Sequence, residues 1–458
     1  MSSTVAEKPF NTMTAQEQLD SKKLTGHQKS LIGMVITGNV SEFFDIFIVG
    51  FVVAILVKEW SLTGPESGII LACAGLGTVL GAISWGALAD RFGRRNAFVW
   101  CVVIFTVFTF ACLFVGQEGW FGIPGWIIFA VLRVLVGFGV GGLNITSIPY
   151  VQEFVPTKHR GFLAGLGSVF IPAGLLLGSL ASNLAKDNWH LLIGIGTLPI
   201  LLIFWARVVP ESPRYRQKQG DEDGARQAYA WALDIPVEQV GSLPPVPKEQ
   251  KSAYALVFGS YKKSLLVITI GSFMFMLGSF TIQSWGQTLL GSVYGFSLST
   301  VALLFALVSV ADLLGRLGSA YLADAIGRRY TMLIFGILGG VGCLVAAFNN
   351  GSSTVFFIGI LIAMTFGDGA FGILNAFGGE QFPTAARSTG LGLGYGIGAI
   401  AKIIGPYMMG AVIGGVAVAD ADPAKVSQAF ILFAVCLFIG AITYMFAKET
   451  RGKELEEV

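Results

Sequence analysis

The sequence predicts an all-α membrane protein whose twelve transmembrane helices form two pseudo-symmetric halves of six. Three observations support this prediction: an apolar composition, the recurrence of apolar runs long enough to cross a bilayer, and two motifs that each occur once in each half of the chain. Of the 458 residues, 54% are hydrophobic and 13% are charged, whereas about a quarter of the residues in a soluble domain are charged. The mean hydropathy of +0.71 agrees with a membrane protein.

Apolar runs supply the predicted spans. A helix needs about 20 apolar residues to cross a hydrocarbon core of about 30 Å. We number the runs span 1 to span 12, at residues 31–57, 67–89, 97–116, 123–149, 162–184, 190–209, 264–289, 298–322, 330–348, 354–378, 388–415 and 427–447. The first 30 residues are polar and mixed in charge, and they lack an apolar core that ends in small residues, so we expect no cleavable leader before span 1.

The distribution of basic residues predicts which side of the membrane each loop occupies. Lys and Arg concentrate in cytoplasmic loops. If the N-terminus is inside, 23 of the 30 Lys and Arg residues fall in inner segments, four fall within spans, and three, Lys58, Lys186 and Lys425, fall in outer loops. We therefore expect a multi-pass protein of a plasma membrane, of the bacterial cytoplasmic kind, with both termini cytoplasmic.

Two motifs recur six spans apart and predict a duplicated half. "GALADRFGRR" at 86–95 follows span 2, and "AYLADAIGRR" at 320–329 follows span 8. "EFVPTKHR" at 153–160 follows span 4, and "EQFPTAAR" at 380–387 follows span 10. Recurrence in the same order at matching positions indicates an internal repeat. The predicted units are a cytoplasmic N-terminal tail (1–30), a first half (31–209), a cytoplasmic linker with short surface helices (210–263), a second half (264–447) and a cytoplasmic C-terminal tail (448–458).

The first of these motifs resembles the signature loop of the major facilitator superfamily, and the resemblance covers residues 31–455. "RVLVGFGVGG" from Arg133, "PESPR" at 210–214 and "KETRG" at 448–452 are similar to sugar porters and to their relatives among the organic-ion and synaptic-vesicle-protein-like transporters. "GNVSEFFD" at 38–45 resembles the first span of metabolite and aromatic-acid proton symporters. The resemblance implies a secondary transporter that works as a monomer, alternates access to a midplane site and needs no cofactor.

Charged residues inside the spans are the main indication of a binding site. A charge at the bilayer centre costs about 2.5–3.5 kcal/mol on insertion scales, so such residues usually face a wet cavity or a charged partner. Asn39, Glu42 and Asp45 follow at intervals of three in span 1, which places them along one line of a helix. Charged residues also lie near the middles of spans 4, 8, 10 and 11: Arg133, Asp312, Arg316, Asp368 and Lys402. The sequence assigns no role to Asp312 or Arg316.

Asp45 and Arg133 are the predicted proton-coupling pair. The sugar-porter resemblance implies that an Asp of the first span faces an Arg of the fourth and that protonation of the Asp releases the pair. Burial disfavours the charged form of a carboxylate and a nearby Arg favours it, so a partner that moves can switch the carboxylate between proton capture and release. We expect Glu42 to share the proton or to orient the substrate. The alternative is a permanent Asp45–Arg133 salt bridge that only fixes helix packing.

The motif loops supply two predicted gating clusters on the inner face. The members are Asp90, Arg94, Glu153 and Arg160 in the first half, and Asp324, Arg328, Glu380 and Arg387 in the second. The resemblance implies that these clusters latch the outward-facing state and separate when the halves rock. The alternative is a static ion network that only marks the topology.

Polar and aromatic residues of spans 1, 4, 7, 10 and 11 form the predicted substrate site. They are Asn39, Asn144, Gln283, Trp285, Gln287, Asp368, Phe371, Asn375 and Lys402. The two glutamines of span 7 are four residues apart, and the three members from span 10 lie at i, i+3 and i+7, so each set shares a helix face. We expect the substrate to be a small organic anion, a carboxylic or aromatic acid, with Lys402 as its charge partner and Trp285 or Phe371 as an apolar wall.

Several rival functions compete with anion symport. A sugar is disfavoured because sugar porters place a Gln where span 5 has Ser168. An organic cation bound by Asp368 or Glu42 is the main rival, followed by a neutral metabolite such as a vitamin and by a uniporter without proton coupling. An enzyme or a nucleotide-driven pump is not expected, because no metal-binding motif, nucleophile motif or P-loop stands out. "GFGVGG" at 137–142 fits a nucleotide-binding pattern, but it lies inside a span with no strand before it and indicates helix packing instead. Five cysteines at irregular spacing in apolar spans indicate neither a disulfide framework nor a metal site.

Overall fold

Long helices joined by short loops dominate the described chain, which comprises residues 10–245, 253–383 and 386–451 of a computed structural model. Eleven helices in these ranges are long and apolar enough to cross a membrane. A further helix at the place of span 5, Thr157–Ala185, contains the shorter apolar stretch Val169–Ala185. The β structure in these ranges is limited to isolated bridges. The prediction of an all-α membrane protein is confirmed.

Each predicted run lies on helix in the structure. Span 1 is Gly26–Glu59, span 2 Gly64–Phe92, span 3 Arg94–Cys112, span 4 Gly125–Gln152, span 5 Thr157–Ala185, span 6 Trp189–Ala206, span 7 Lys262–Val293, span 8 Leu298–Ile326, span 9 Arg328–Ala347, span 10 Ser353–Glu380, span 11 Thr389–Ile413 and span 12 Pro423–Tyr444. Side chains cap several of the starts; the hydroxyl of Thr25, for example, accepts a hydrogen bond from the backbone N–H of Gln28. Such caps satisfy backbone donors that a helix start would otherwise leave unpaired.

Two spans depart from a regular α-helix close to charged residues. Span 10 widens into a π-helical turn at Ala363–Asp368. Span 11 is interrupted between Gly398 and Ala401, directly before Lys402. π-Helical turns inside α-helices are rare and frequently occur at functional sites. The two irregularities therefore lie at Asp368 and directly before Lys402.

Glycines allow span 2 to pack closely against two other spans. A Cβ atom added to Gly137 of span 4 would lie 2.5 Å from the carbonyl oxygen of Ala74 in span 2. The segment 137–142 is thus a helix-packing surface, as predicted from its sequence. Toward span 11, a Cβ atom added to Gly75 would lie 2.5 Å from the carbonyl oxygen of Lys402. Small residues at such positions let helix backbones approach each other in a membrane.

The bundle has a tail face and an opposite face. The tail face carries the described chain ends, the linker and the motif loops, and the opposite face carries the loop after span 1 and the loop after span 11. At the opposite face, the backbone N–H of Gly64 donates to the carbonyl of Val416 at 3.2 Å. The hydroxyl of Thr288 in span 7 donates to the carbonyl of Gly50 in span 1, also at 3.2 Å. These bonds between the first and the second six spans close the opposite face.

The N-terminal segment packs against the linker at the tail face. The helix Ala15–Ser21 contacts the linker helix Glu222–Leu233. The side-chain amide of Gln18 donates to the carbonyl of Gln239 at 2.9 Å. The linker also contains the helix Pro213–Lys218. The helix Ala15–Ser21, which lies within the predicted N-terminal tail, thus packs against the linker.

Two glutamates cap the starts of spans 3 and 9. Glu211 of the "PESPR" segment accepts hydrogen bonds from the first backbone N–H groups of span 3. Glu449 of the "KETRG" segment accepts from the backbone N–H groups of Arg328 and Arg329 at 3.0 and 3.1 Å. The turn before span 9 needs Gly327, whose φ of +103° is unfavourable for other residues. A carboxylate at a helix start is stabilised by the helix dipole and by the unpaired N–H groups.

We predict that Glu449→Gln lowers the melting temperature at neutral pH and that this loss disappears in acid. Partial burial acts to raise the pKa of the Glu449 carboxyl, but four backbone N–H donors outweigh burial and hold that pKa below 4.5. A carboxyl whose pKa is lower in the folded state stabilises the fold above its unfolded pKa, and this contribution is lost as the pH falls through the folded pKa. Melting curves recorded from about pH 7 down to about pH 3 measure the effect.

The matched control for this variant is Glu238→Gln, which removes the same charge from an exposed position of the linker. The control should leave the melting temperature nearly unchanged, because exposed substitutions away from caps usually change stability by less than about 0.5 kcal/mol. Equal losses from the two variants, or a loss from Glu449→Gln that persists at the acid end, would contradict the capping role.

Candidate functional site

Asp45 and Arg133 form a buried ion pair between spans 1 and 4. Nη2 of Arg133 lies 2.6 Å from Oδ2 of Asp45, and Nη1 lies 3.3 Å from Oδ1. The hydroxyl of Thr109 in span 3 donates to Oδ1 of the same carboxylate at 3.3 Å. Only 1% of Asp45 and 2% of Arg133 are exposed. The two charges balance each other away from water, and loss of either partner would leave the other buried and uncompensated.

A second buried cluster, comprising Asp312, Arg316 and Asp368, joins spans 8 and 10. Nε of Arg316 lies 3.0 Å from Oδ1 of Asp312, and Nη2 donates to Asp368. The three residues are 0%, 3% and 4% exposed. Asp368 was expected at the substrate site, and the other two had no assigned role. The spacing of four between Asp312 and Arg316 on one helix was the available signal for their pairing.

A small cavity lies between the first and the second six spans, beside this cluster. Its walls include Gln283, Arg316, Asp368, Phe371, Tyr395 and Lys402, together with apolar side chains of spans 1 and 5. The volume is about 40 Å³, and a water molecule needs at least about 10–15 Å³ of such space. The cavity therefore holds a few waters at most.

The cavity presents hydrogen-bond donors that lack a protein partner. Nε2 of Gln283 and Nη1 of Arg316 are buried and have no hydrogen-bond partner among the described residues. Nζ of Lys402 lies 5.3 Å from the ring centre of Phe280, and within the same ranges it makes neither a hydrogen bond nor an ion pair. Glu42, 3% exposed in span 1, and Asp368 are the carboxylates that act electrostatically on Lys402. Buried donors without partners are costly, so this cavity favours an acceptor group.

Phe371 forms a wall of the cavity, whereas Trp285 does not. The guanidinium carbon of Arg316 lies 5.9 Å from the ring centre of Phe371. Trp285 is 1% exposed, and its indole N–H donates to the carbonyl of Pro406 at 3.0 Å. The prediction that Trp285 could form the apolar wall is therefore not met, because this side chain is used to join spans 7 and 11.

Three further predicted substrate residues, Asn39, Gln287 and Asn375, lie away from the cavity walls. Asn39 is buried and donates to the hydroxyl of Ser147 at 2.9 Å. Gln287 lies against Gly50 of span 1, nearer the opposite face, where a Cβ atom on the glycine would meet Oε1 of the glutamine at 2.6 Å. Asn375 is exposed one turn nearer the tail face. The side chain of the last member, at position 144 in span 4, lies outside the described residues.

The first motif loop assembles a charge cluster at the tail face. Nε of Arg94 lies 2.8 Å from Oε1 of Glu153, and Nη2 lies 3.7 Å from Oδ1 of Asp90. The hydroxyl of Ser212, from the "PESPR" segment, donates to Glu153. Burial raises the pKa of the Glu153 carboxyl, although Arg94 acts in the opposite direction. Arg160 was expected in this cluster, but its guanidinium donates to the backbone carbonyl at position 152 and to a glutamine of the N-terminal helix.

The second motif loop builds the same arrangement. Arg328 lies 3.1 Å from Asp324 and 3.4 Å from Glu380. The hydroxyl of Thr450, from the "KETRG" segment, donates to Glu380. The remaining predicted member, Arg387, packs against a glycine of span 10. The two hydroxyl donors were not predicted; the signal for them is a Glu followed by Ser or Thr at 211–212 and at 449–450.

A larger cavity elsewhere lacks the chemistry of a binding site for a polar solute. It is an apolar groove of about 570 Å³ between spans 1, 5 and 6. Thr37 and Ser41 supply polar atoms there, and leucines of spans 5 and 6 supply much of the rest. Because no charged side chain lines this groove, the smaller charged cavity is the candidate site.

Comparisons with known proteins agree with this architecture. The family model described as Major Facilitator Superfamily matches residues 35–406, and it also matches 268–457. Among curated relatives, the niacin transporter NiaP of Acinetobacter baylyi is 29% identical over 94% of this chain and 96% of its own length. The 4-hydroxybenzoate transporter PcaK of Pseudomonas putida is 25% identical over 88% of this chain and 90% of its own length.

Solved structures show the same fold at low sequence identity. The crystal structure of a D-xylose-proton symporter superposes with a TM-score of 0.73 at 19% identity, covering 93% of this chain and 99% of that one. The inward open conformation of the xylose transporter XylE from E. coli gives a TM-score of 0.72, also at 19% identity, and covers 94% of this chain and 98% of that one. The family match spans more than half of the sequence. This chain therefore belongs to the Major Facilitator Superfamily and is a multi-pass membrane transporter, not an enzyme.

Proposed function

We propose that this transporter is a proton-coupled symporter of a small organic anion, a carboxylic or aromatic acid, and that it works as a monomer by alternating access. The observation that carries the proposal is the cavity between spans 1, 7, 8, 10 and 11, toward which Gln283, Arg316 and Lys402 present donors without protein partners. The names of several relatives support an acid: niacin, 4-hydroxybenzoate, benzoate and gallate each carry a carboxyl group on an aromatic ring.

The cavity suits an aromatic carboxylate in its charge and in its walls. The ammonium of Lys402 supplies a positive charge. Phe280 supplies an apolar face beside Lys402, and Phe371 supplies one beside Arg316. Ligand sites commonly combine apolar walls with a few polar groups that fix orientation. We expect the carboxylate to bind Lys402 and the ring to pack against a phenylalanine, in a state more open than the one described.

The conformation has a place in the proposed cycle. The basic residues of the loops support a cytoplasmic tail face, in which case the bonded opposite face is the outer one and the outer path is closed. The halves 31–209 and 264–447 would then rock about the cavity. Two contacts must separate before substrate can enter from outside. Gly75 must part from span 11, and Gly64 must part from the loop after span 11.

The buried Asp45–Arg133 pair is the proposed proton-coupling element. A proton on Asp45 would remove the charge that balances Arg133, and the pair would lose its strongest attraction. The mobile element is then span 1, which carries both Asp45 and Glu42 and which also contacts span 7 of the second six. Glu42 is proposed to share the proton or to orient the substrate.

An organic cation is the second candidate substrate. Three carboxylates, those of Glu42, Asp312 and Asp368, occur in and around the cavity, against the two cations of Arg316 and Lys402. A surplus of negative charge would favour a positively charged ligand. A ligand screen by thermal stability separates the two classes.

We predict that Asp45→Asn abolishes uphill accumulation of nicotinate or benzoate in proteoliposomes under an imposed pH gradient, while downhill flux continues. The amide keeps the volume of the carboxylate but cannot carry a proton, so the movement of span 1 that is proposed to depend on protonation of Asp45 is no longer driven by the pH gradient. Thr109→Val is the control, because it removes one hydrogen bond to the same carboxylate and changes no charge. Accumulation by Asp45→Asn at the wild-type level would exclude Asp45 from proton coupling.

We predict that aromatic acids raise the melting temperature of the purified protein and that Lys402→Gln loses this effect. A ligand that binds only the folded state stabilises it by mass action, by about 2.7 kcal/mol at 100 times its dissociation constant. The screen compares nicotinate, benzoate, sugars and organic cations at about pH 5.5 and pH 7.5. Trp285→Phe, outside the cavity, should lower the baseline stability yet keep the ligand shift. If only organic cations stabilise the protein and Asp368→Asn loses this effect, the substrate is an organic cation and the proposal of an organic anion is wrong.

We predict that Glu153→Gln reduces the outward-facing population more than Asp90→Asn does. Glu153 is buried and 2.8 Å from Arg94, whereas Asp90 is 64% exposed and 3.7 Å from it. Exposed ion pairs contribute only about 0–1 kcal/mol. Distances between spin labels at the tail-face ends of spans 2 and 8 measure the populations. Unchanged distances in both variants would indicate a static ion network.

A further inference from the structure

The cluster of Asp312, Arg316 and Asp368 carries an imbalance of charge that the Asp45–Arg133 pair does not have. Two carboxylates share one guanidinium, and all three side chains are at least nine-tenths buried. Burial of an ion without full compensation is costly in an apolar medium. The cluster is therefore a place where a proton can be gained at little electrostatic cost.

Arg316 has one nitrogen left for a ligand. Its Nε is bonded to Asp312 and its Nη2 to Asp368, while its Nη1 is buried without a hydrogen-bond partner among the described residues. The same side chain lines the cavity next to Lys402. A guanidinium offers five N–H donors in one plane and can bind several carboxylates at once. A carboxylate in the cavity can therefore bind Nη1 without displacing either aspartate.

We propose that the substrate carboxylate binds Nη1 of Arg316 together with Nζ of Lys402, and that the Asp312–Asp368 pair takes up one proton when it does. The proton adds to a carboxylate oxygen of the pair, and no other bond is made or broken. This inference rests on the proposed function, since it requires an anionic substrate. It makes the second six spans a site of substrate-linked protonation, separate from Asp45.

The charged groups around the pair support uptake of one proton per anion. Arg316 faces the pair from span 8, and Lys402 and Tyr395 of span 11 line the cavity with Asp368. Glu42 of span 1 acts electrostatically on Lys402 and Tyr395. The described parts of spans 5, 7 and 9 bring no charged side chain to the cavity. Three acids and two bases give a net charge of −1 when all are ionised. A monovalent anion would make this charge more negative by one, and one proton restores it.

The Asp45–Arg133 pair cannot supply this coupling by itself. It is balanced one to one, it is bonded through both carboxylate oxygens, and neither residue lines the cavity. A substrate anion therefore contacts Arg316 directly but Arg133 not at all. The protein therefore has two protonation sites with different roles: the Asp312–Asp368 pair responds to the substrate, and Asp45 responds to helix movement.

Isothermal titration of the purified full-length protein with nicotinate tests the inference. Titrations near neutral pH in two buffers of different ionisation enthalpy give the number of protons taken up per anion bound. We expect about one proton for the wild type and about none for Asp312→Asn, in which the charge is already removed. If Asp312→Asn fails to fold, Asp368→Asn takes its place, and we expect it to take up about no protons either. Asp45→Asn should retain the uptake, and Asp223→Asn, at an exposed position of the linker, is the matched control.

The outcomes separate this inference from the proposed function. Nicotinate binding without proton uptake, or uptake lost in Asp45→Asn and kept in both cluster variants, would overturn the inference and leave an anion transporter in place. Failure of both nicotinate and benzoate to bind the wild type would overturn the anion class itself, and the inference with it. Arg316→Lys keeps the positive charge but loses the planar guanidinium and its five N–H donors. We therefore expect the affinity for nicotinate to fall by about tenfold or more, with proton uptake retained. Unchanged affinity would show that the anion does not contact Arg316.

Discussion

The cost of placing ions inside an apolar helix bundle determines how this protein is organised. Asp45 and Arg133 are held away from water only because each neutralises the other at 2.6 Å. Arg316 is held in the same way by two aspartates. Lys402 is the exception among these cations, since it has no carboxylate within bonding distance in the described chain. Its place in a cavity follows from the same physical rule, because an unpaired charge needs water or a ligand.

Much of the architecture could be predicted from composition and period alone. Apolar runs of the right length have few structures available in a bilayer other than helices, since each backbone group must be paired within its own segment. The repeated loops likewise indicated the family correctly. The π-helical turn that ends at Asp368 and the break before Lys402 could not be predicted, because no local signal in an apolar run distinguishes a regular helix from one with an irregular turn.

The candidate site was harder to predict than the fold, and particular residues show why. A helix in a bundle of this kind is apolar on every side, so helical spacing alone cannot tell a cavity-facing residue from a packing residue. Trp285 and Gln283 are two positions apart, yet the first bonds a backbone carbonyl of span 11 and the second faces the cavity. Arg316 has no role predicted from the sequence, since its spacing of four from Asp312 indicates an intrahelical pair but carries no information about the cavity. Its third nitrogen, visible only in three dimensions, is what connects it to the site.

The contact between spans 2 and 11 is made of backbone on both sides, at Gly75 and at the carbonyl of Lys402. Where backbone meets backbone, there are no rotamers to rearrange and no interlocked groups to withdraw when the helices separate. Such a helix–helix contact can separate and form again at small entropic cost. Lys402, whose carbonyl contacts Gly75, also lines the cavity with its side chain. Separation of spans 2 and 11 and the position of the ammonium are therefore coupled through this one residue.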